Sequence, residues 1–481
     1  MAREILINIE SQEKRVAIVN EGRLEEFYIE RPQDKTIVGN IYKGRIEAVL
    51  PSLGAAFVDI GLPKKGFLYL SEIESAYEMA DTHPKPKAHC EVKKGQEILV
   101  QVVKESFGTK GPRLSCNIGL AGRYLVLMPQ ENQIGISRRI EEDDERRRLR
   151  QVFAELNLPK DVGFIVRTAA RGKSKQELGH DAHFLIKLWK RIEKVIQAQK
   201  APAIIYEEYD LTFRVIRDSF TDDVTKLIVD AKPEFYRIMR FMKTFLSYLC
   251  RKVEMYKGDD LFGEKDVEKQ INRIFESKVF LKSKAYLVIE PTEGLVVIDV
   301  NSGGFKKKFN QEETAFKVNC EAAQEVAHQL RLRDLGGIIV IDFIDMEKEF
   351  HRREVLSVLK RALSDDRAKY DILGISRFGV VEMTRERIHN TVQTLSYQSC
   401  PYCQGRGKIR SAVTVSISAL KELRKSLKLE ARKQVSLSLN PAVIHELLKD
   451  KTSVRMLEQR YKTRVNLVSD PALHVEDIKI A

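Results

Sequence analysis

Two apolar strands that each carry aspartate, joined by one long helical pattern, constrain this chain more than any other feature. The first strand is LVVIDVN, residues 295–301; the helix is EETAFKVNCEAAQEVAHQLRLRDL; the second strand is GIIVIDFIDM, residues 337–346. A hairpin, KAYLVIE then PTEG, leads into the first strand, and the helix is predicted to stop at Gly336–Gly337. Strands alternating with helices indicate an α/β layer over residues 275–396. Side chains two apart on a strand share a face, so Asp299 and Asn301 point the same way at a strand end. Sites of open α/β sheets are built at such ends.

An aspartate in an apolar strand is unfavourable unless it is paired or bound to a cation. Strands joined by one helix can be neighbours, which lets Asp299 and Asp342 converge on a hard cation. Oxygen donors, few in number, suit Mg²⁺ completed by water and phosphate oxygens. Such an ion polarises a phosphoryl oxygen and activates water, so the predicted reaction is phosphodiester hydrolysis. Asn301 would orient a ligand, the water or the phosphate. Asp345 is the weaker candidate, because three residues on it can cap the next helix instead. The competing reading makes the aspartates structural partners of arginine.

The 481 residues exceed one ordinary domain and suggest about three to five units. A net charge of +13 favours a polyanionic partner, because lysine and arginine displace counterions from phosphates. The start, MAREILINIE, has no signal pattern, and no apolar run nears the ~20 residues that span a bilayer. The six cysteines are scattered, apart from Cys400 and Cys403, which suits a reducing compartment. The expectation is a cytoplasmic protein without a membrane segment.

Residues 1–34 read as a short hairpin that must pack on a later segment, and residues 211–274 as helical patterns. Short punctuated strands over 35–116 suggest a small barrel. On it, Phe57, Phe67 and Tyr69 lie among Lys43, Arg45, Lys104 and Lys110, a mixture that suits stacked bases and paired phosphates. Each aromatic taken alone reads as a core residue sooner than as a contact; it is the set on a barrel that points to nucleic acid. In FIVRTAARGKSKQEL, within residues 117–210, a strand runs into Arg167 and Thr168; a guanidinium and a hydroxyl there can grip a terminal phosphate, or form an ordinary surface loop.

SCPYCQGRGKI allows two readings. A redox dithiol wants its first cysteine at a helix N-terminus after a strand. A glycine turn after the second cysteine fits a zinc knuckle better, but a structural zinc takes four ligands and no second pair is present. Two chains sharing one ion, each giving Cys400 and Cys403, would satisfy it and imply a homodimer.

Taken together, VVIDVNSGG, the EETAF…FIDM segment, ISRFGVVEMTRER, CPYCQGRGK and NIYKGRIEAVLPSLGAAFVDIG resemble the ribonuclease E/G endoribonucleases of bacteria, over most of the chain to about residue 411. The resemblance implies an α/β multidomain fold. It has an RNase H-like part (1–34 and 211–274) and a DNase I-like catalytic part (275–396). An OB-fold barrel (35–116), a 5′-phosphate sensor region (117–210), a zinc link (397–411) and a small C-terminal α/β domain (412–481) complete it. It also implies Mg²⁺-dependent cutting of single-stranded RNA, ribosomal precursors and messengers among them, to 5′-phosphate and 3′-hydroxyl ends.

By the same resemblance, Asp299 and Asp342 bind the metal and Asn301 assists. Arg167 and Thr168 sense a 5′-monophosphate. Cys400 and Cys403 form an intersubunit Zn²⁺ link in a dimer or higher homo-oligomer. Phe57, Phe67, Lys104, Lys110, Arg139 and Lys369 contact RNA. At Lys369 the family's long members carry arginine; lysine keeps the charge but loses the planar fork. The end at Ala481, without an extended tail, favours the G-type members. The rival readings are a DNA-directed metal nuclease, a non-catalytic RNA-binding or ribosome-assembly protein, and a redox protein at the cysteine pair. The aspartates speak against the second, since binding alone does not need them.

Overall fold

The computed structural model describes residues 3–73, 92–106, 110–159, 161–292, 294–303, 311–364, 366–376, 378–387, 397–398, 400–429, 432–449 and 451–481. Cys90, Gly304 and residues 388–396 of the expected catalytic part lie outside them. The chain divides into two compact units, Met1–Leu395 and Ser396–Ala481.

The aspartate-bearing strands sit at the centre of a six-stranded sheet. Its order is Lys278–Phe280, Tyr286–Pro291, Leu295–Asn301, Gly337–Asp342, Val380–Arg385 and Tyr370–Ile375. The two central strands run parallel, joined by the helix Gln311–Leu332, and the other pairs are antiparallel. Val296, Ile298, Val300, Ile339 and Ile341 point to one face and form a core with Ala315, Val318, Ala322, Ala323 and Val326 of that helix. The alanines leave room for the helix to lie close on the sheet. The helix ends differently from expectation. Asp334 takes the left-handed conformation (φ 45°), and Leu335 N–H closes on Leu330 O (3.1 Å), before either glycine is reached.

The barrel is closed. Ile41–Leu50 pairs with Ala55–Asp59 on one side and Glu97–Lys104 on the other, with Gly66–Tyr69 and Arg113–Ser115 completing the ring. Ala203–Tyr206 adds to the outside of Ile41–Leu50.

The N-terminal segment is a three-stranded meander, not a hairpin: Arg3–Ile9, Lys14–Asn20 and Arg23–Glu30. Its first strand pairs in parallel with Val224–Val229, which pairs in parallel with Val253–Met255. Residues 211–274 therefore contain strands that a helical reading of their apolar spacing missed. This sheet is tied to the helix Gln311–Leu332 by Arg23, which donates to Glu325 (2.6 Å), and by the His328 ring at Leu24 O (2.8 Å). A four-stranded sheet over residues 120–166 carries the helix Lys175–Ala198, which starts with a Ser174–Glu177 capping box. In the second unit a helix, Ala412–Leu429, packs with a three-stranded sheet ordered Arg464–Ser469, Gln434–Leu439, Ile478–Ile480.

Candidate active site and RNA interface

The parallel pairing puts Asp299 directly beside Asp342. Both lie on the sheet face opposite the helices, in one row with Val288 and Val380 of the neighbouring strands. The expectation of aspartates interrupting a buried strand is thus corrected. Alternation sends Ile298 and Val300 into the core while Asp299 and Asn301 stay half-buried on the open face, and Asp342 is exposed. An open face leaves the carboxylates in contact with water, so neither needs a buried arginine partner. Asn301 Nδ2 donates to Asp299 Oδ2 (2.7 Å) and so fixes that carboxylate's orientation. Partial desolvation, then the charges of Asp299 and Asp345, raise the pKa of Asp342 above its ordinary value. That mutual repulsion is what a cation would relieve.

Asp345 is near enough to be felt but does not complete a cage. Among the described residues, no three His, Cys, Asp or Glu side chains gather to hold an ion by themselves. The arginine-bound aspartates of the competing reading do exist, at other positions. Arg385 Nε and Nη2 bind both oxygens of Asp366 (2.7 and 3.1 Å), and its Nη1 binds Asp334 (2.8 Å).

The turn after Asn301 needs glycine. Gly303 has φ +56°, and a Cβ there would sit 2.4 Å from Lys284 O. On the other strand, Asn319 is fully buried in the joining helix. Its amide accepts from Ile344 N–H (3.1 Å) and donates to Ile344 O (2.8 Å), pinning the segment between Asp342 and Asp345. Glu312 accepts from the N–H groups of Glu347 and Lys348 and from His351, holding the end of that segment. Asn319 and Glu312 escaped sequence reading because they look like any polar helix residues.

On the barrel, Phe57 and Phe67 are cross-strand partners with rings 6.0 Å apart, and Tyr69 continues the row at 5.0 Å from Phe67. Arg113, unforeseen from sequence, lies over the Tyr69 ring (4.9 Å) and opposite Lys104. Lys104 and Lys110 are exposed. Lys43 and Arg45 share the outer face of the barrel, Arg45 opposite Asp59 and so two residues from Phe57, but their head groups turn away from the aromatic row. They bind the carbonyls of Gln199 and Ala201 (3.0 and 2.7 Å), at and just past the end of the helix Lys175–Ala198.

Arg167 is already engaged. Its guanidinium donates to Gly122 O (2.6 Å) and pairs with Asp218 (2.7 Å). Burial opposes ionisation of Asp218, but Arg217 and Arg167 outweigh it and hold that carboxyl at about 2. Thr168 is exposed beside it. A cavity of about 390 Å³ is lined by Gly122, Arg123, Tyr124, His180 and Tyr209, among others; none of the site aspartates lines it. Arg139 binds the carbonyls of Asp366, Arg367 and Ala368 (2.9–3.1 Å), which brings it beside exposed Lys369.

In the second unit, Cys400 is exposed and Cys403 half-buried. The N–H groups of Cys403 and Tyr402 lower the pKa of Cys400, favouring its thiolate. The helix that follows starts only at Ala412, so the pair does not stand at a helix N-terminus as redox dithiols do. Glu476 binds Arg406 (2.6 Å) and Arg410 N–H (2.7 Å), anchoring the turn. By contrast, burial pushes the Cys116 thiol up to about 12.

Fold and site together define a class: a nucleic-acid-binding barrel joined to an α/β sheet with a carboxylate pair on its open face. Comparison with known proteins makes the class specific. The model of the ribonuclease E/G family matches residues 119–388, the S1 RNA binding domain matches 35–117, and the RNase E/G thioredoxin-like domain matches 399–481. The chain is 42% identical to ribonuclease G of Escherichia coli over 432 residues, 88% of each chain. It is 41% identical to ribonuclease G of Haemophilus influenzae over 457 residues, 94% of this chain and 93% of the relative. Ribonuclease E of Haemophilus influenzae is 39% identical over 485 residues, covering all of this chain and 52% of the relative. The chain belongs to the ribonuclease E/G family. It is an enzyme, an endoribonuclease with an RNA-binding S1 barrel.

Proposed function

We propose that this protein is a Mg²⁺-dependent endoribonuclease that cuts single-stranded RNA to 5′-phosphate and 3′-hydroxyl ends, in ribosomal RNA maturation and messenger decay. The observation that carries the reading is the in-register pair Asp299–Asp342 on the open sheet face. The donor set fits the ion: all oxygen, mutually repulsive, and open to the waters that Mg²⁺ retains. Asp299 and Asp342 would hold it, and it would supply Lewis-acid polarisation and an activated water. Asn301 keeps the Asp299 carboxylate in one orientation, and Asn319 keeps Asp342 and Asp345 in place.

The barrel row Phe57–Phe67–Tyr69 stacks bases, with Lys104, Lys110 and Arg113 beside it for phosphates. Arg139 holds the backbone next to Lys369, so a phosphate contact falls to Lys369 and the exposed side of Arg139. A 5′-monophosphate on the substrate stimulates cutting by competing with Asp218 for Arg167, with Thr168 alongside. The sheet order of the N-terminal part, with three antiparallel strands followed by two parallel ones, supports its RNase H-like description. The helix-backed six-stranded sheet is the DNase I-like part. Cys400 and Cys403 supply half of a zinc site, and a second copy supplies the rest, giving a homodimer or higher homo-oligomer. Among the described residues no helix is long and apolar enough to cross a membrane, and the described cysteines are free, which supports a cytoplasmic setting.

The test is cleavage of a 5′-monophosphorylated single-stranded RNA, with Mg²⁺ and with EDTA. Wild type cuts only with Mg²⁺; Asp299→Asn loses at least about 100-fold, consistent with the several kcal/mol such an ion contributes, while RNA binding persists. Equal cutting by both proteins would sink the assignment.

A further inference from the structure

Beyond the carboxylate pair, the open sheet face carries an aromatic group that no part of the reading above uses. Phe280, on the outermost strand, faces Tyr286; Tyr286 faces Asn301 on the next strand. The three side chains therefore form one row across three strands, the row that flanks Asp299. Adjacent strands lie about 4.8 Å apart, so Phe280 is roughly 10 Å from Asn301. Phe280 is 68% exposed. Its ring is 6.1 Å from that of Tyr286 at a tilt of 56°. Lys278, on the same face, places Nζ 3.6 Å from the Tyr286 ring centre and 5.1 Å from that of Phe280.

We propose that Phe280 and Tyr286, with Lys278, form a stacking platform for the base of a nucleotide adjoining the scissile phosphate. The proposal rests on the nuclease reading. Single exposed aromatics need no explanation, but here two rings and an ammonium share one patch in the row beside the carboxylates. A base fits this patch because aromatic faces stack on any base and a neighbouring ammonium pairs with the phosphate. Its place beside the carboxylates selects the RNA being cut over a protein partner. The platform would hold one flanking nucleotide still, so the phosphate stays aligned at Asp299 and Asp342.

The test uses the full chain and RNA oligomers in which a single 2-aminopurine is walked through the cleavage region, in EDTA. At one position, wild type quenches the fluorescence; Phe280→Ala and Phe280→Leu restore it, and Phe280→Trp does not. With Mg²⁺, Phe280→Ala slows cutting about ten-fold, in line with the loss of one stacked base. An abasic site at that position slows wild type by the same factor and leaves Phe280→Ala unchanged. The proposal is overturned if no position shows Phe280-dependent quenching, if Phe280→Leu behaves as wild type, or if the abasic penalty is equal in both proteins. A shift in sedimentation of Phe280→Ala without those signals would assign the patch to a second copy and overturn it too. Phe280-dependent quenching by a wild type that does not cut would leave the platform standing and remove the nuclease reading instead.

Discussion

Arg385 is 4% exposed and binds two aspartates and the carbonyl of Leu335. It joins the strand Val380–Arg385 to the end of the helix Gln311–Leu332 and to the segment before Tyr370. Removing it leaves the Asp366 carboxylate, 2% exposed, without its cation. Breaking such a buried pair costs about 3–5 kcal/mol, so Arg385→Ala should lower the urea midpoint markedly, with Arg385→Lys intermediate because it lacks the bidentate fork. In sequence, Asp334, Asp366 and Arg385 look no different from the surface charges around them. Asp299 and Asp342 were legible because they break apolar strands. Arg385 was not, because its partners lie 51 and 19 residues away.

At the scale of elements, the strand exit Phe343–Lys348 is held at both ends by the helix Gln311–Leu332. Asn319→Ala would leave Ile344 N–H and C=O without their partner. Unmade hydrogen bonds of buried groups cost about 1–3 kcal/mol, and Asp342 and Asp345 would lose their support. We expect RNA cutting to fall at least about ten-fold while circular dichroism stays native; unchanged kinetics would show that the pin is only structural. Glu312, at the helix start, is held at about 2, chiefly by hydrogen bonds from the Glu347 and Lys348 backbone against a smaller effect of burial, with His351 adding to them. Its folded pKa is depressed, so its contribution is full above the unfolded value of about 4.3 and is lost as pH falls toward 2. Glu312→Gln should therefore flatten the acid limb of stability between those values, read by thermal melts across pH. The strands and helices themselves were legible from apolar spacing. Val224–Val229 and Val253–Met255 were not, since short runs among helices give no period of their own.

For the whole molecule, the proposed zinc link supplies the contrast between one chain and several. One chain offers two thiolates, and a structural zinc needs four ligands. Cys400→Ser with Cys403→Ser, or chelation, should shift sedimentation toward the monomer and remove bound zinc. A pair that keeps its oligomeric state without zinc would point to contacts elsewhere. The net charge of +13 and the barrel's aromatic row belong to this scale as well, because a long RNA meets the surface as a whole.

Sequence alone determined what alternation and composition can carry: an α/β layer, a small barrel, a basic partner surface, and two aspartates with an asparagine at strand ends. Those signals are local, since a period of two or a residue out of place is read within ten positions. Only the tertiary structure decided which face of the sheet stays open, that Asp299 and Asp342 stand in register, that Asn319 pins the segment between Asp342 and Asp345, and that Arg385 ties Asp334 and Asp366 together at the far end of the sheet. It also decided that Lys43, Arg45 and Arg139 bind backbone carbonyls while Phe280 stays bare. The physical reason is that burial and partnership are properties of pairs: a side chain's neighbour across the fold is not written beside it in the chain.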